Sequence, residues 1–284
     1  GSGKCFAKDM RILYMNDETL HLETIEEMYE KYASTYGEIS FDRGYAVPLK
    51  NVKVYTYDGR IRKVDAQFIY KEKVPKLLEL ELSNGEKLKV TKVHPLFVFR
   101  SEFQWIKARD LQIGDVVIGV KEIPKNNNKS DLEDAYFMGL FIAEGTSNPL
   151  SISTSSKEIL EFVKEYIKCK DKYEPTIKVD NRRKNPVYTI LLRKKTSERM
   201  KLFNTNPTSK TVPEKIINAD AETIKAFLAG YIDGDGYVDR GIIEISTVNR
   251  ELSEGIKTLF RLIGISAKIK KKNINGKDYY RIYI

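Results

Sequence analysis

The chain has 284 residues, 41% hydrophobic and 31% charged, a soluble globular composition with room for two domains. It has no long apolar run and no charged-then-apolar leader, so neither a membrane span nor a signal peptide is expected. The two cysteines, Cys5 and Cys169, lie in unrelated contexts, which argues against a disulfide framework and fits a reducing, cytoplasmic setting. The net charge is +9 and uneven: residues 1–120 hold 19 basic and 18 acidic residues, residues 121–284 hold 30 and 22. The basic surplus of the second part suits phosphate contacts, or else the lysine-rich surface of a heat-stable protein.

In chain order, residues 5–120 read mainly as strand. Val52–Tyr57 and the runs 77–82, 88–91 and 116–120 are separated by turn signals such as Asp58-Gly59 and Asn84-Gly85. Residues 18–36 are the exception. There Leu20, Leu22, Ile25, Met28 and Tyr29 recur near helical spacing and predict a helix, with His21 on its surface. The polar stretch 121–130 (KEIPKNNNKS) is a candidate linker.

Beyond it the sequence repeats. Ile152-Ser153-Thr154 returns as Ile245-Ser246-Thr247 at an offset of 93, and Ile177, Tyr188 and Ile190 return as Ile269, Tyr280 and Ile282 at an offset of 92. Each unit reads helix, two strands, helix, two strands, and duplication predicts a pseudo-two-fold axis suited to a DNA duplex. Each unit opens on an apolar helix ending in an acid and a glycine: Phe137 to Gly145 with Glu144, and Leu228 to Gly236 with Asp235. Gly139 and Gly230 are costly inside helices unless two backbones cross closely there. The final glycines suit left-handed helix stops. Such a crossing sets Glu144 beside Asp235, and paired carboxylates call for a divalent metal. A buried helix with a capping acid is the plainer alternative for either motif alone. A calcium loop at Asp233-Gly234-Asp235 lacks its loop glycine and closing glutamate.

These two segments resemble the paired motifs of LAGLIDADG homing endonucleases. The second is nearly letter-perfect; the first departs at Ile142, where the motif carries its earlier aspartate. The resemblance implies that Glu144 and Asp235 bind Mg²⁺, which activates water and neutralises the phosphate undergoing attack. Lys210, in Lys210-Thr211-Val212-Pro213, resembles the Lys-x-x-Pro block of intein endonucleases, where the lysine assists the attacking water or stabilises developing charge. The alternative is one solvated lysine among many. Basic residues in 176–192 and 267–284, namely Lys178, Arg182, Arg183, Lys268, Lys270 and Lys272, are the candidate DNA contacts on curved sheets.

The first part resembles the Hint module of inteins. Cys5-Phe6-Ala7-Lys8-Asp9 is similar to the opening block, with Met10 where threonine is common. Thr91-Lys92-Val93-His94 is similar to the Thr-x-x-His block, and Trp105 to Val117, with Asp115, matches the strand that follows. A lone Thr-x-x-His reads equally as a core histidine; the ordered set is more specific. The resemblance implies that the Cys5 thiolate attacks the Lys4 carbonyl, that His94 protonates the leaving nitrogen, and that Thr91 orients the scissile carbonyl, with no cofactor. Residues 1–4, Gly-Ser-Gly-Lys, read as a tag or as the end of a host P-loop, and the whole resembles inteins in the P-loop of archaeal strand-exchange recombinases.

The expected architecture is a β-rich Hint horseshoe over residues 5–124 plus an α+β LAGLIDADG domain over residues 125–284 with an αββαββ repeat. The expected function is self-splicing joined to site-specific double-strand DNA cleavage by a monomer. The alternative is a degenerate endonuclease that binds DNA without cutting. A Hint domain serving a secreted precursor fits neither the absent signal peptide nor the repeat. Because no His-Asn pair closes the sequence and the second repeat stops at the equivalent of Leu192, the chain is expected to be either a truncated intein or the N-terminal piece of a split one, with a C-terminal intein segment as partner in the second case.

Overall fold

The computed structural model describes residues 4–182, 184–200 and 210–284, which form two compact units, Gly1–Pro124 and Lys125–Ile284. The regular structure of the first unit is antiparallel strand apart from one α-helix and a short 3-10 turn. One sheet runs Thr19–Thr24, Arg11–Asn16, Val52–Tyr57, Ile61–Asp65 in spatial order. A second runs Phe103–Lys107, Pro95–Phe99, Val116–Val117, and a third Ile39–Phe41, Gly44–Pro48, Phe68–Glu72. Leu78–Glu81 and Lys87–Val90 form a hairpin of their own. Helix α1, Ile25–Tyr36, lays Met28, Tyr29 and Tyr32 onto Tyr14, Val47 and Val52, and a second core gathers Val90, Leu96, Val98 and Ile106.

The helix expected over 18–36 is corrected. Thr19–Thr24 is a strand paired with Arg11–Asn16, Leu20 opposite Met15 and Leu22 opposite Leu13. The connecting turn places Asp17 and Glu18 at φ 45° and 63°, the left-handed pair of a type I′ hairpin made without glycine. The helix starts only at Ile25, where Thr24 and Glu27 form a reciprocal capping box that satisfies the first free amides. His21 is therefore a strand residue, its ring stacked 5.2 Å from that of Tyr14.

The second unit carries the duplication. Helix α2 (Leu132–Glu144), strands Gly145–Ser147 and Leu150–Thr154, helix α3 (Lys157–Asp171), and strands Thr176–Asp180 and Val187–Leu191 make the first repeat. Short helices α4 (Lys194–Met200) and α5 (Glu214–Ile217) follow. Helix α6 (Ala221–Asp235), strands Gly236–Asp239 and Ile242–Thr247, helix α7 (Arg250–Leu262), and strands Lys268–Ile274 and Lys277–Tyr283 make the second. Both sheets have the same strand order, and the fully buried Ile152–Ile190 and Ile245–Ile282 pairs occupy equivalent core positions. Part of the expected linker packs instead onto this unit: Asn126 Nδ2 donates to Asn218 Oδ1 at 2.7 Å, and Asn128 forms a parallel bridge with Ala219. No helix among the described residues is long and apolar enough to cross a membrane.

Candidate functional site

The first unit lays its opening residues along a strand end. Phe6 bridges Val90, and the Ala7 amide donates to the Lys89 carbonyl at 2.8 Å. This pairing continues through Thr91, whose amide donates to the Cys5 carbonyl at 3.0 Å. The Cys5 amide, the nitrogen of the Lys4–Cys5 peptide, donates to Thr91 Oγ1 at 3.1 Å. The Thr91 hydroxyl thus meets the nitrogen of the peptide whose carbonyl it is expected to orient. The His94 amide donates to the Thr91 carbonyl at 3.0 Å, a tight turn that swings the imidazole back against Phe6, ring centroids 4.3 Å apart. Burial lowers the pKa of His94, opposed by a hydrogen bond to the Lys4 backbone. Its Nδ1 is the one buried side-chain nitrogen or oxygen without a hydrogen-bond partner among the described residues. In a native fold such an atom calls for an explanation.

Two neighbours carry no signal in the sequence. Cys5 Sγ lies 4.0 Å from Glu72 Oε1, and the Tyr70 hydroxyl donates to Glu72 Oε2 at 3.2 Å. Burial, and then the Glu72 charge, push the Cys5 thiol up. Nothing local in Lys71-Glu72-Lys73 marks Glu72; it reaches Cys5 only because Phe68–Glu72 pairs with Gly44–Pro48. Asp115 faces its own loop, where Arg100 grips it through two nitrogens at 2.7 and 2.8 Å and holds its carboxyl down to about 2.

In the second unit α2 and α6 cross backbone on backbone. A methyl group at Gly139 would overlap the Phe227 carbonyl, and one at Gly230 the Tyr136 carbonyl. Gly145 and Gly236 are extended, φ −77° and −86°, so the expected left-handed stops are corrected. Glycine is needed there because a Cβ would press on the Phe141 and Ile232 carbonyls. The crossing brings the acidic ends together: an added Cβ at Gly234 would lie 3.3 Å from Glu144 Cγ. Burial, and then the Asp235 charge, push Glu144 up to about 7. Asp235 stays open to solvent at the mouth of the site, yet the protein crowded round it raises its carboxyl to about 6.

Lys210 is 6% exposed, and its Nζ donates to the Ala143 carbonyl at 3.3 Å. Burial lowers its pKa, while Asp235 and Glu144 pull the other way. The lysine therefore stands over the acid pair. Its seat is the start of α7. Buried Asn249 caps that helix through Oδ1 and donates from Nδ2 to the Lys210 carbonyl at 2.6 Å, while Gly255 leaves room for Val212. In the sequence nothing marks Asn249 beyond a helix-start position. Hard carboxylate oxygens raised above their ordinary range are a donor set that a divalent cation relieves. Among the described residues no three His, Cys, Asp or Glu side chains gather as a metal site, so the acid pair offers two carboxylates and no third ligand of these types.

The candidate DNA contacts divide. Lys268, Lys270 and Lys272 alternate along one strand and share the face opposite the Ile269–Ile282–Ile245 core row, together with Arg281 and Tyr283. Lys270 Nζ sits 5.3 Å over the Tyr283 ring. Lys178 holds the equivalent exposed position in the first sheet, whereas Arg182 is turned onto its own Asp180 at 2.7 Å. Arg183 and residues 1–3 lie outside the described residues.

A LAGLIDADG-like domain model matches residues 222–284, and the intein splicing domain model matches residues 13–229. The replication factor C small subunit of Methanocaldococcus jannaschii is 29% identical over 299 residues, covering 100% of this chain and 15% of that protein. Its counterpart in Thermococcus kodakarensis is 27% identical over 296 residues, covering 100% of this chain and 32% of its own length. The chain thus spans a third or less of these relatives. Among solved structures, the PabCDC21-1 intein is 26% identical with a TM-score of 0.35, covering 45% of this chain and 76% of that one. I-DmoI in complex with DNA and Mn is 16% identical with a TM-score of 0.37, covering 53% and 89%. The chain belongs to the intein splicing domain family and carries a LAGLIDADG-like domain at its residues 222–284.

Proposed function

We propose that residues 5–124 carry out an N-to-S acyl shift at the Lys4–Cys5 peptide, and that residues 125–284 form a homing endonuclease that cuts duplex DNA at a specific site. The observation that carries the first half is the Thr91 hydroxyl on the amide of that peptide, with the His94 ring against the Lys4 backbone and its Nδ1 unpartnered. Cys5 Sγ attacks the Lys4 carbonyl carbon, the carbon–nitrogen bond breaks, and a thioester forms. The imidazolium of His94, made a stronger acid by burial, gives its proton to the departing nitrogen, which Thr91 keeps oriented. A C-terminal intein segment would complete splicing, and Gly-Ser-Gly-Lys before Cys5 supports a P-loop ATPase as host, a strand-exchange recombinase in the finer reading. The setting is cytoplasmic and the chain monomeric.

In the second half, Glu144 and Asp235 would hold Mg²⁺, which when bound supplies water activation and charge neutralisation at the phosphate. Lys210 places a cation over the same point, where it offsets negative charge developing on the phosphate. The basic face of Lys178, Lys268, Lys270 and Lys272 supplies phosphate contacts, so binding weakens as salt rises. The test has two arms. Dithiothreitol should release the Lys4-ended peptide from the chain but not from Cys5→Ala. A plasmid carrying the intein-free host junction should be cut with Mg²⁺, while the Glu144→Gln, Asp235→Asn double variant binds it without cutting. Release from Cys5→Ala, or cutting by the double variant, refutes the corresponding half. Binding without cutting by the unaltered chain with Mg²⁺ identifies a degenerate endonuclease.

A further inference from the structure

Cys5 needs more than an acceptor for its acyl group. The thiol must lose a proton as it attacks, and the partners named so far all serve the other side of the peptide. Thr91 Oγ1 is engaged by the Cys5 amide, and the Lys4 backbone lies against the His94 ring. On the sulfur side stands a single carboxylate. Glu72 Oε1 is 4.0 Å from Cys5 Sγ, within the reach of an S–H donor, and its other oxygen accepts from the Tyr70 hydroxyl at 3.2 Å. Tyr70 and Glu72 are two residues apart on one strand and therefore project from the same face. The phenol holds one carboxylate oxygen, and the other is the one that meets the sulfur.

We propose that Glu72 is the general base of the acyl shift, and that Tyr70 positions it. This rests on Cys5 being the nucleophile. As Sγ closes on the Lys4 carbonyl carbon, the S–H proton passes to Glu72 Oε1 and the electron pair left on sulfur makes the new carbon–sulfur bond. When the tetrahedral centre collapses, the carbon–nitrogen bond breaks and the nitrogen takes a proton from the His94 imidazolium. Glu72 then returns its proton to solvent, and His94 regains one, so the step is neutral in protons and electrons.

A carboxylate beside a thiol also disfavours the thiolate by like-charge repulsion. That gives the base role a signature that no purely electrostatic or purely structural role shares. Glu72→Gln keeps the shape and removes the charge. At pH 8 its Cys5 should be alkylated by iodoacetamide several-fold faster than in the unaltered chain, because the thiolate is less disfavoured. Dithiothreitol-induced release of the Lys4-ended peptide should instead slow, by about 100-fold or more for a lost general base. In Glu72→Ala, sodium formate added to the cleavage reaction should restore part of the lost rate. Tyr70→Phe should slow release by a smaller factor.

If alkylation and release both speed up in Glu72→Gln, Glu72 is only an electrostatic brake and the proposal is wrong. If both fall or neither moves, the contact is structural and the proposal is equally wrong. Failure of the underlying reading looks different: the unaltered chain then releases no peptide, while Glu72→Gln still quickens alkylation.

Discussion

Replacing Gly139 with alanine tests what holds the two acidic helix ends together. On an exposed helix the change would stabilise by about 1 kcal/mol through helix propensity. Here the new methyl group would sit on the Phe227 carbonyl and 2.7 Å from the Tyr231 amide nitrogen, both rigid backbone of the facing helix. Neither can turn aside as a flexible side chain does, so α2 and α6 must move apart by an ångström or more to reach ordinary contact. A gap of that size forfeits roughly a quarter to a half of the dispersion attraction at each contact it opens. The contacts in question belong to Leu140, Phe227 and Tyr231, all 1% exposed or less. Overpacking alone costs about 1–3 kcal/mol, and the opened seam adds to it, so a net loss of about 2–4 kcal/mol is expected after the propensity gain. Gly230→Ala meets the Tyr136 carbonyl in the same seam and should cost a similar amount. The double variant should cost clearly less than the sum, because one separation accommodates both methyl groups. Urea unfolding followed by circular dichroism on the single and double variants gives these values. Neutral or stabilising single variants, or strict additivity, would refute backbone contact as the organiser of the site.

Asn249→Ala removes a buried donor and a helix cap at once and should destabilise by about 1–3 kcal/mol in thermal or urea unfolding. Asn249→Asp keeps the cap acceptor but sets a buried carboxylate oxygen against the Lys210 carbonyl, so it should destabilise as well and raise the acetylation of Lys210 by acetic anhydride, read by mass spectrometry; unchanged labelling in both variants would show that Lys210 is seated by other means. The Asp115 carboxyl is held down to about 2 by Arg100, below its ordinary value. The resulting stabilisation is fully present above the ordinary carboxylate range, near pH 4, and disappears as pH falls through about 2. Thermal unfolding from pH 5 to pH 2 should therefore show a smaller drop in melting temperature for Asp115→Asn than for the unaltered chain, and an equal drop would remove this pair from the acid response.

Much of the organisation is written locally. The duplication is visible because each repeat must bury the same isoleucine row, so Ile152 and Ile190 reappear as Ile245 and Ile282. The paired glycines and acids of α2 and α6 are visible because a close helix crossing leaves few residue choices. Residues 18–36 mislead for the same reason in reverse. Leu20 and Leu22 satisfy a two-residue period as well as a helical one, and the hairpin turn at Asp17-Glu18 carries no glycine to announce it. Only the tertiary structure decided which side chains meet across long stretches of chain. Thr91 reaches the Cys5 amide across 86 positions, Glu72 reaches the thiol across 67, and Asn249 reaches Lys210 across 39. A sequence period encodes which face of an element is apolar, but not which polar atom stands within hydrogen-bonding distance of a partner on another strand. That is set by strand order, register and close packing.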